Sequence, residues 1–127
     1  MIVVDTSALI AIAKNEPLAD ACLSALVNAD QTLISAGTFA EAHIVAGRKN
    51  LTAALATLLT MTRLEVVALD EAGAMLAANA YALYGKENHK ANLNYGDCFA
   101  YALAKQMNCP LLFVGNDFSQ TDITQAI

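Results

Sequence analysis

Four carboxylates stand where the chain offers little other charge. Asp5 directly follows the apolar run Ile2-Val3-Val4. Asp117 comes three residues after the run Leu111-Leu112-Phe113-Val114, behind a Gly115-Asn116 turn. Glu41 is the only charged residue between Asp30 and Arg48, and Asp97 the only one between Lys90 and Lys105. An acid alone on an alanine-rich, apolar helix is costly to bury and needs a partner. No Lys or Arg lies one helical turn from Glu41 or Asp97. If the four converge, their repulsion raises some of their pKa values unless a cation neutralises them. An oxygen-only ligand set points to Mg²⁺ or Mn²⁺ over zinc. Each acid also has an ordinary reading. Asp5, Asp97 and Asp117 can serve as helix caps or turn residues, and Glu41 as a solvated helix residue.

The elements that must position these acids follow from the apolar pattern. Ile2-Val3-Val4, Thr32-Leu33-Ile34, Leu64-Glu65-Val66-Val67 and Leu111 to Val114 read as strands. The first, second and fourth are nearly continuous apolar runs, as strands buried on both faces should be. Helices are expected from Thr6 or Ser7 to Lys14, from Pro17 to about Asn28, over Gly37 to Ala46 and over Leu51 to Met61. Asp70 should cap a longer one, Glu71 to Tyr84, which Gly85 ends at a C′ position. A polar loop follows, then a helix from about Tyr95 to Met107. Asp122-Ile123-Thr124 suits a last short strand or an edge. Alternating strands and helices imply a three-layer α/β/α fold with a central, mainly parallel sheet. Ligands of such sheets bind outside the carboxyl ends of the strands. Asp5 and Asp117 are delivered to that rim.

Composition sets the class. At 127 residues and 57% hydrophobic, the chain suits one domain with a real core, with roughly 6,500 Å² left exposed on folding. Alanine supplies 26 residues, which favours helix over membrane. No apolar run approaches the ~18 positions of a bilayer helix. No secretory h-region opens the chain, because Asp5 interrupts Met1 to Val4 at once. Cys22, Cys98 and Cys109 are odd in number and form no C-x-x-C pair, which suits a reduced, cytoplasmic protein. Twelve acids against seven Lys and Arg give a net charge of −5, which argues against holding nucleic acid through a basic surface.

The acids lie in segments that resemble a known family. Ile2-Val3-Val4-Asp5-Thr6-Ser7-Ala8-Leu9 is similar to the opening of PIN-domain nucleases. Ile34 to Glu41, Leu93 to Ala104 and Leu111 to Asp122 resemble their second, third and fourth motifs, in order and at matching spacing. The short length resembles the VapC-type toxins of prokaryotic toxin–antitoxin pairs. The resemblance implies one PIN-like domain over residues 1–127 and a Mg²⁺- or Mn²⁺-dependent endoribonuclease. Asp5, Glu41, Asp97 and Asp117 would form its catalytic and metal-binding quartet. Thr6 and Ser7 would donate to a metal ligand or phosphate, Asn116 would orient Asp117, and Asp122 is a candidate fifth acid, with a capping or strand-edge role as its other reading. A cognate antitoxin and a homodimer are implied, with RNA as substrate and no membrane partner. One departure is His89-Lys90-Ala91, where such toxins often carry His-Pro-Ala.

Competing readings are a phosphoryl-transfer domain, phosphatase or receiver-like, and a non-catalytic module binding RNA or protein. A dehalogenase-type phosphatase wants an acid where Ser7 stands, and a receiver wants an acid beside Asp5. Arg48, Lys49, Lys86, Lys90 and Lys105 are candidate phosphate contacts or ordinary solvated side chains. His43 is expected in the core or an interface, His89 in solvent, and Cys98 and Tyr101 in the core.

Overall fold

The computed structural model covers residues 1–127. Four short strands form its centre: β1 (Ile2–Val4), β2 (Thr32–Ser35), β3 (Leu64–Val67) and β4 (Leu111–Leu112). They lie in the order β3-β2-β1-β4, and every neighbouring pair is parallel. Val3 faces Leu33 on one side and Leu111 on the other. Successive strand residues point to opposite faces. Val3, Leu33, Leu111 and Phe113 therefore pack with α5 (Glu71–Tyr84) and α6 (Tyr95–Met107). Val4, Ile34 and Leu112 pack with α1 (Thr6–Ala13), α2 (Ala19–Asn28), α3 (Ala36–Arg48) and α4 (Thr52–Met61). This is the expected three-layer α/β arrangement, and it exposes 6822 Å², close to the area expected for its mass.

Helix α6 carries the longest buried run. Every residue from Gly96 to Ala104 is buried, as in a helix enclosed on all sides. Fully burying a side chain the size of Leu103 or Phe99 stabilises by roughly 1.5–3 kcal/mol. That packing holds the start of α6, and Asp97 with it, rigidly against the sheet rim.

Several boundaries differ from the sequence expectation, each for a local reason. Asp5, not Thr6 or Ser7, caps α1. The second helix begins at Ala19, two residues beyond Pro17. Strand β4 stops at Leu112, because the Val114 N–H turns away to donate to Ser7 Oγ at 3.0 Å. Gly85 ends α5 as expected, in an extended conformation with φ −67°. Glycine is required there by close approach, since a Cβ would sit 2.2 Å from the Tyr81 carbonyl oxygen. The final edge pairing falls at Gln125 opposite Leu111, one residue past the expected segment. No helix is long and apolar enough to cross a membrane.

Candidate active site

Asp5 leaves β1 and becomes the N-cap of α1. Its Oδ2 accepts from Ser7 N at 3.0 Å and from Ser7 Oγ at 2.7 Å. Ser7 Oγ also accepts from Val114 N, so one hydroxyl joins the ends of β1 and β4. Asp5 Oδ1 is buried and has no partner. Burial pushes the Asp5 pKa up to about 6; the Ser7 hydrogen bonds oppose the rise, and the Glu41 charge adds to it.

Asp97 is held by a reciprocal cap. Its Oδ2 accepts from Asn94 N at 2.9 Å, while Asn94 Oδ1 accepts from Asp97 N at 2.8 Å. The residue is 7% exposed. Its pKa is pushed up to about 7, chiefly by burial, against the Asn94 backbone bond and with added repulsion from Asp5, Asp117 and Glu41. The ordinary capping role and the role in an acidic cluster therefore coexist in one side chain.

Glu41 reaches the same place from the second turn of α3. Its Oε1 accepts from Thr6 Oγ1 at 2.6 Å. Its other oxygen lies against the start of α6, where a Cβ on Gly96 would fall 1.7 Å from Oε2. Asp117 is exposed, on the loop after β4. All four acids line one cleft of about 230 Å³, together with Thr6 and Asn94, and no Lys, Arg or His lines it.

The donor set is oxygen, anionic and uncompensated, with one buried orphan oxygen on Asp5. It fits a hard divalent cation. As the side chains stand, no three of the protein's His, Cys, Asp and Glu groups are arranged to hold an ion. Asp5 Oδ2, Asp97 Oδ2 and Glu41 Oε1 are each occupied by an internal hydrogen bond. Holding a cation would need the carboxylates to draw together.

The supporting residues divide. Thr6 donates to Glu41 and Ser7 to Asp5. Asn116 lies outside the cleft lining, and its carbonyl accepts from Ser119 N and Oγ; its backbone shapes the turn. Asp122 is not in the cleft. Its carboxylate accepts from Tyr101 OH at 2.5 Å and Lys105 Nζ at 2.9 Å, which pins the C-terminal segment to α6. Tyr101 and Cys98 are buried, as expected, and burial pushes the Cys98 thiol up to about 11. His43 is exposed rather than in the core, with Nδ1 2.8 Å from the Phe39 carbonyl. His89 is half-buried rather than solvated, edge-on to Tyr84 at 5.0 Å, and accepts from Ala91 N. Asn94 and Gly96 belong to the site without having stood out in the sequence. Asn94 carries a signal there, a capping residue three positions before an acid; Gly96 carries none.

The family model for the PIN domain matches residues 2–123. Ribonuclease VapC28 of Mycobacterium tuberculosis is 41% identical over 129 residues, covering 98% of this chain and 97% of that one. Ribonuclease VapC30 of the same species is 42% identical over 130 residues, covering 95% of each. Among solved structures, Mycobacterium tuberculosis VapC20, described as a Sarcin-Ricin loop cleaving toxin, superposes with a TM-score of 0.75 at 16% identity over 98% of both chains. The chain belongs to the PIN-domain family and, within it, to the VapC ribonucleases.

Proposed function

We propose that residues 1–127 act as one nuclease domain, a divalent-metal-dependent endoribonuclease toxin that works in the cytoplasm. The observation that carries the reading is Asp97. It is buried at the first turn of α6, beside three other acids, with no basic residue in the cleft. A protein gains nothing in stability from such a cluster; it suits a cation and the anionic phosphate brought with it.

In this reading Asp5, Glu41, Asp97 and Asp117 hold Mg²⁺ or Mn²⁺. A bound cation supplies a more acidic water and charge stabilisation for the phosphate and its leaving oxygen. The chain's own residues set the geometry. Ser7 fixes one oxygen of Asp5 and leaves the other free. Thr6 fixes one oxygen of Glu41. Asn94 fixes Asp97 through its backbone N–H. One carboxylate of the four would orient an attacking water or accept its proton, and Asp117 is the exposed one.

The partners follow from the same charge. An Arg or Lys from a cognate antitoxin would fit four clustered acids and compete with the cation. A homodimer is the proposed assembly, measurable by light scattering with and without the antitoxin.

The test is cleavage of RNA by purified protein. Cutting is expected with Mg²⁺ or Mn²⁺, none in EDTA, and none by Asp97→Asn. An Asn at position 97 can still accept the Asn94 N–H, so the fold should survive. Cutting by Asp97→Asn at the wild-type rate would overturn the assignment.

A further inference from the structure

Beside the acid cleft lies a larger hollow of about 490 Å³. Ile44, Val45, Leu69 and Phe99 give it an apolar lining, and Tyr95 and Arg48 stand at its edges. The two hollows share a wall, because Glu41 and Val45 border both. Tyr95 is the first residue of α6 and is 75% exposed. Phe99, one turn on, meets its ring edge-on at a centroid distance of 4.9 Å and 86°. Phe99 is itself pressed onto Gly37, where a Cβ would lie 2.7 Å from the ring. The Tyr95 ring is thus braced from beneath while most of its surface meets water. Arg48 is exposed and unpaired; the protein's one salt bridge joins Lys105 to Asp122.

We propose that this hollow takes an unpaired nucleobase of the RNA strand whose scissile phosphate enters the acid cleft, stacked on Tyr95, with Arg48 contacting the neighbouring phosphate. The proposal rests on the ribonuclease reading and extends it to how substrate is held. Single-stranded nucleic acid is commonly bound by stacking bases on aromatic side chains, with cations along the backbone. A net charge of −5 gives a polyanion no long-range attraction to the protein as a whole. A braced aromatic beside the cleft, with one free guanidinium, supplies affinity that does not depend on net charge. A second copy of the chain could also cover an apolar hollow. The shared wall with the acids and the unpaired Arg48 favour the strand.

The test uses a single-stranded oligoribonucleotide that the wild type cuts with Mg²⁺ or Mn²⁺, and copies carrying one abasic residue at each position flanking the cut. Tyr95→Ala should raise KM about tenfold, the scale of one lost stack, with kcat nearly unchanged. Tyr95→Trp should keep the wild-type KM. One abasic position should cost the wild type the same factor and cost Tyr95→Ala nothing further. Arg48→Ala should flatten the salt dependence of KM. An unchanged KM in Tyr95→Ala, while the wild type cuts, overturns this site alone. So does a dimer that falls to monomer in Tyr95→Ala with KM unchanged, which would make the hollow a protein interface. A wild type that cuts no RNA at all overturns the ribonuclease reading and this site with it.

Discussion

Thr6 Oγ1 donates to Glu41 Oε1 at 2.6 Å, across 35 residues of chain. The bond joins the first residue of α1 to the second turn of α3, at the rim where β1 and β2 end. Thr6 is 7% exposed, so water cannot readily replace it. Thr6→Val keeps the shape and removes the donor. A hydrogen bond to a charged group contributes about 1.5–3 kcal/mol, so melting should fall by several degrees. Cleavage should fall about tenfold as the Glu41 carboxylate loses its orientation. Thr6→Ser should restore most of both. Wild-type cleavage by Thr6→Val would show that Glu41 needs no such tether.

Gly96 makes a sharper probe, because stability and activity should move apart. A methyl group there would lie 1.7 Å from Glu41 Oε2, so the carboxylate must leave. The displaced group is a flexible side chain, not backbone, and alanine is the better helix former by about 1 kcal/mol. Gly96→Ala gains helix propensity but loses the Thr6–Glu41 bond, so it should melt no lower than Thr6→Val while losing most cleavage. Gly47→Ala is the control. It lies within α3 with nothing near its Cβ, so it should gain about 0.5–1 kcal/mol and cut normally. Full activity in Gly96→Ala would remove Glu41 from the machinery.

The raised carboxyl pKa values predict a pH dependence of stability in EDTA. Asp5 and Asp97 ionise near 6 and 7 in the folded protein, against 3.8 for the ordinary group. The folded state therefore favours the proton. That contribution is fully present below about pH 4 and is lost as pH rises through 6 and 7. The metal-free protein should melt higher at pH 5 than at pH 8. The difference should amount to a few kcal/mol at most, since each tenfold change in proton affinity is worth about 1.4 kcal/mol. Asp97→Asn should flatten the curve and raise the melting temperature at pH 8. Millimolar Mg²⁺ should raise the wild type selectively at pH 8 by binding the folded state. Thermal melts across pH 5–8 decide it, and a flat wild-type profile would rule out buried ionisable acids.

The candidate acids are legible in the sequence because each is an anomaly of charge. Asp5 and Asp117 follow buried strands, and Glu41 and Asp97 stand alone on helices. Strand and helix types are legible from apolar period for a related reason: the three-layer packing leaves little choice of face. The contacts made through space are not legible. The Thr6–Glu41 bond spans 35 residues and the Val114–Ser7 bond spans 107. The second bond is why β4 ends early. The space under Glu41 depends on Gly96 having no side chain, which no periodicity marks. Asp122 is the converse case. The resemblance offers it as a fifth acid, with a capping or strand-edge role as its other reading, and the contacts that hold it, Tyr101 and Lys105 of α6, lie too far along the chain to be read from the sequence.

Asp122 accordingly offers the test that separates a local latch from a metal ligand. Hydrogen bonds from Tyr101 and Lys105 hold its carboxyl below the usual range, which stabilises the charged form where it stands. It precedes the segment in which Leu111 N donates to Thr124 O and Ala126 N donates to Leu111 O. Asp122→Asn weakens an exposed ion pair and keeps an oxygen for Tyr101. Such pairs contribute about 0–1 kcal/mol, so melting should fall by only a few degrees. Hydrogen exchange should quicken at Leu111 and Ala126, where the C-terminal segment frays first. Cleavage and its Mg²⁺ dependence should stay within about twofold of wild type, in contrast to Asp97→Asn. Tyr101→Phe should reproduce the faster exchange, because it removes the other donor to the same carboxylate. If Asp122→Asn were as inactive as Asp97→Asn with normal exchange at Leu111, Asp122 would belong with the acids and not with the latch.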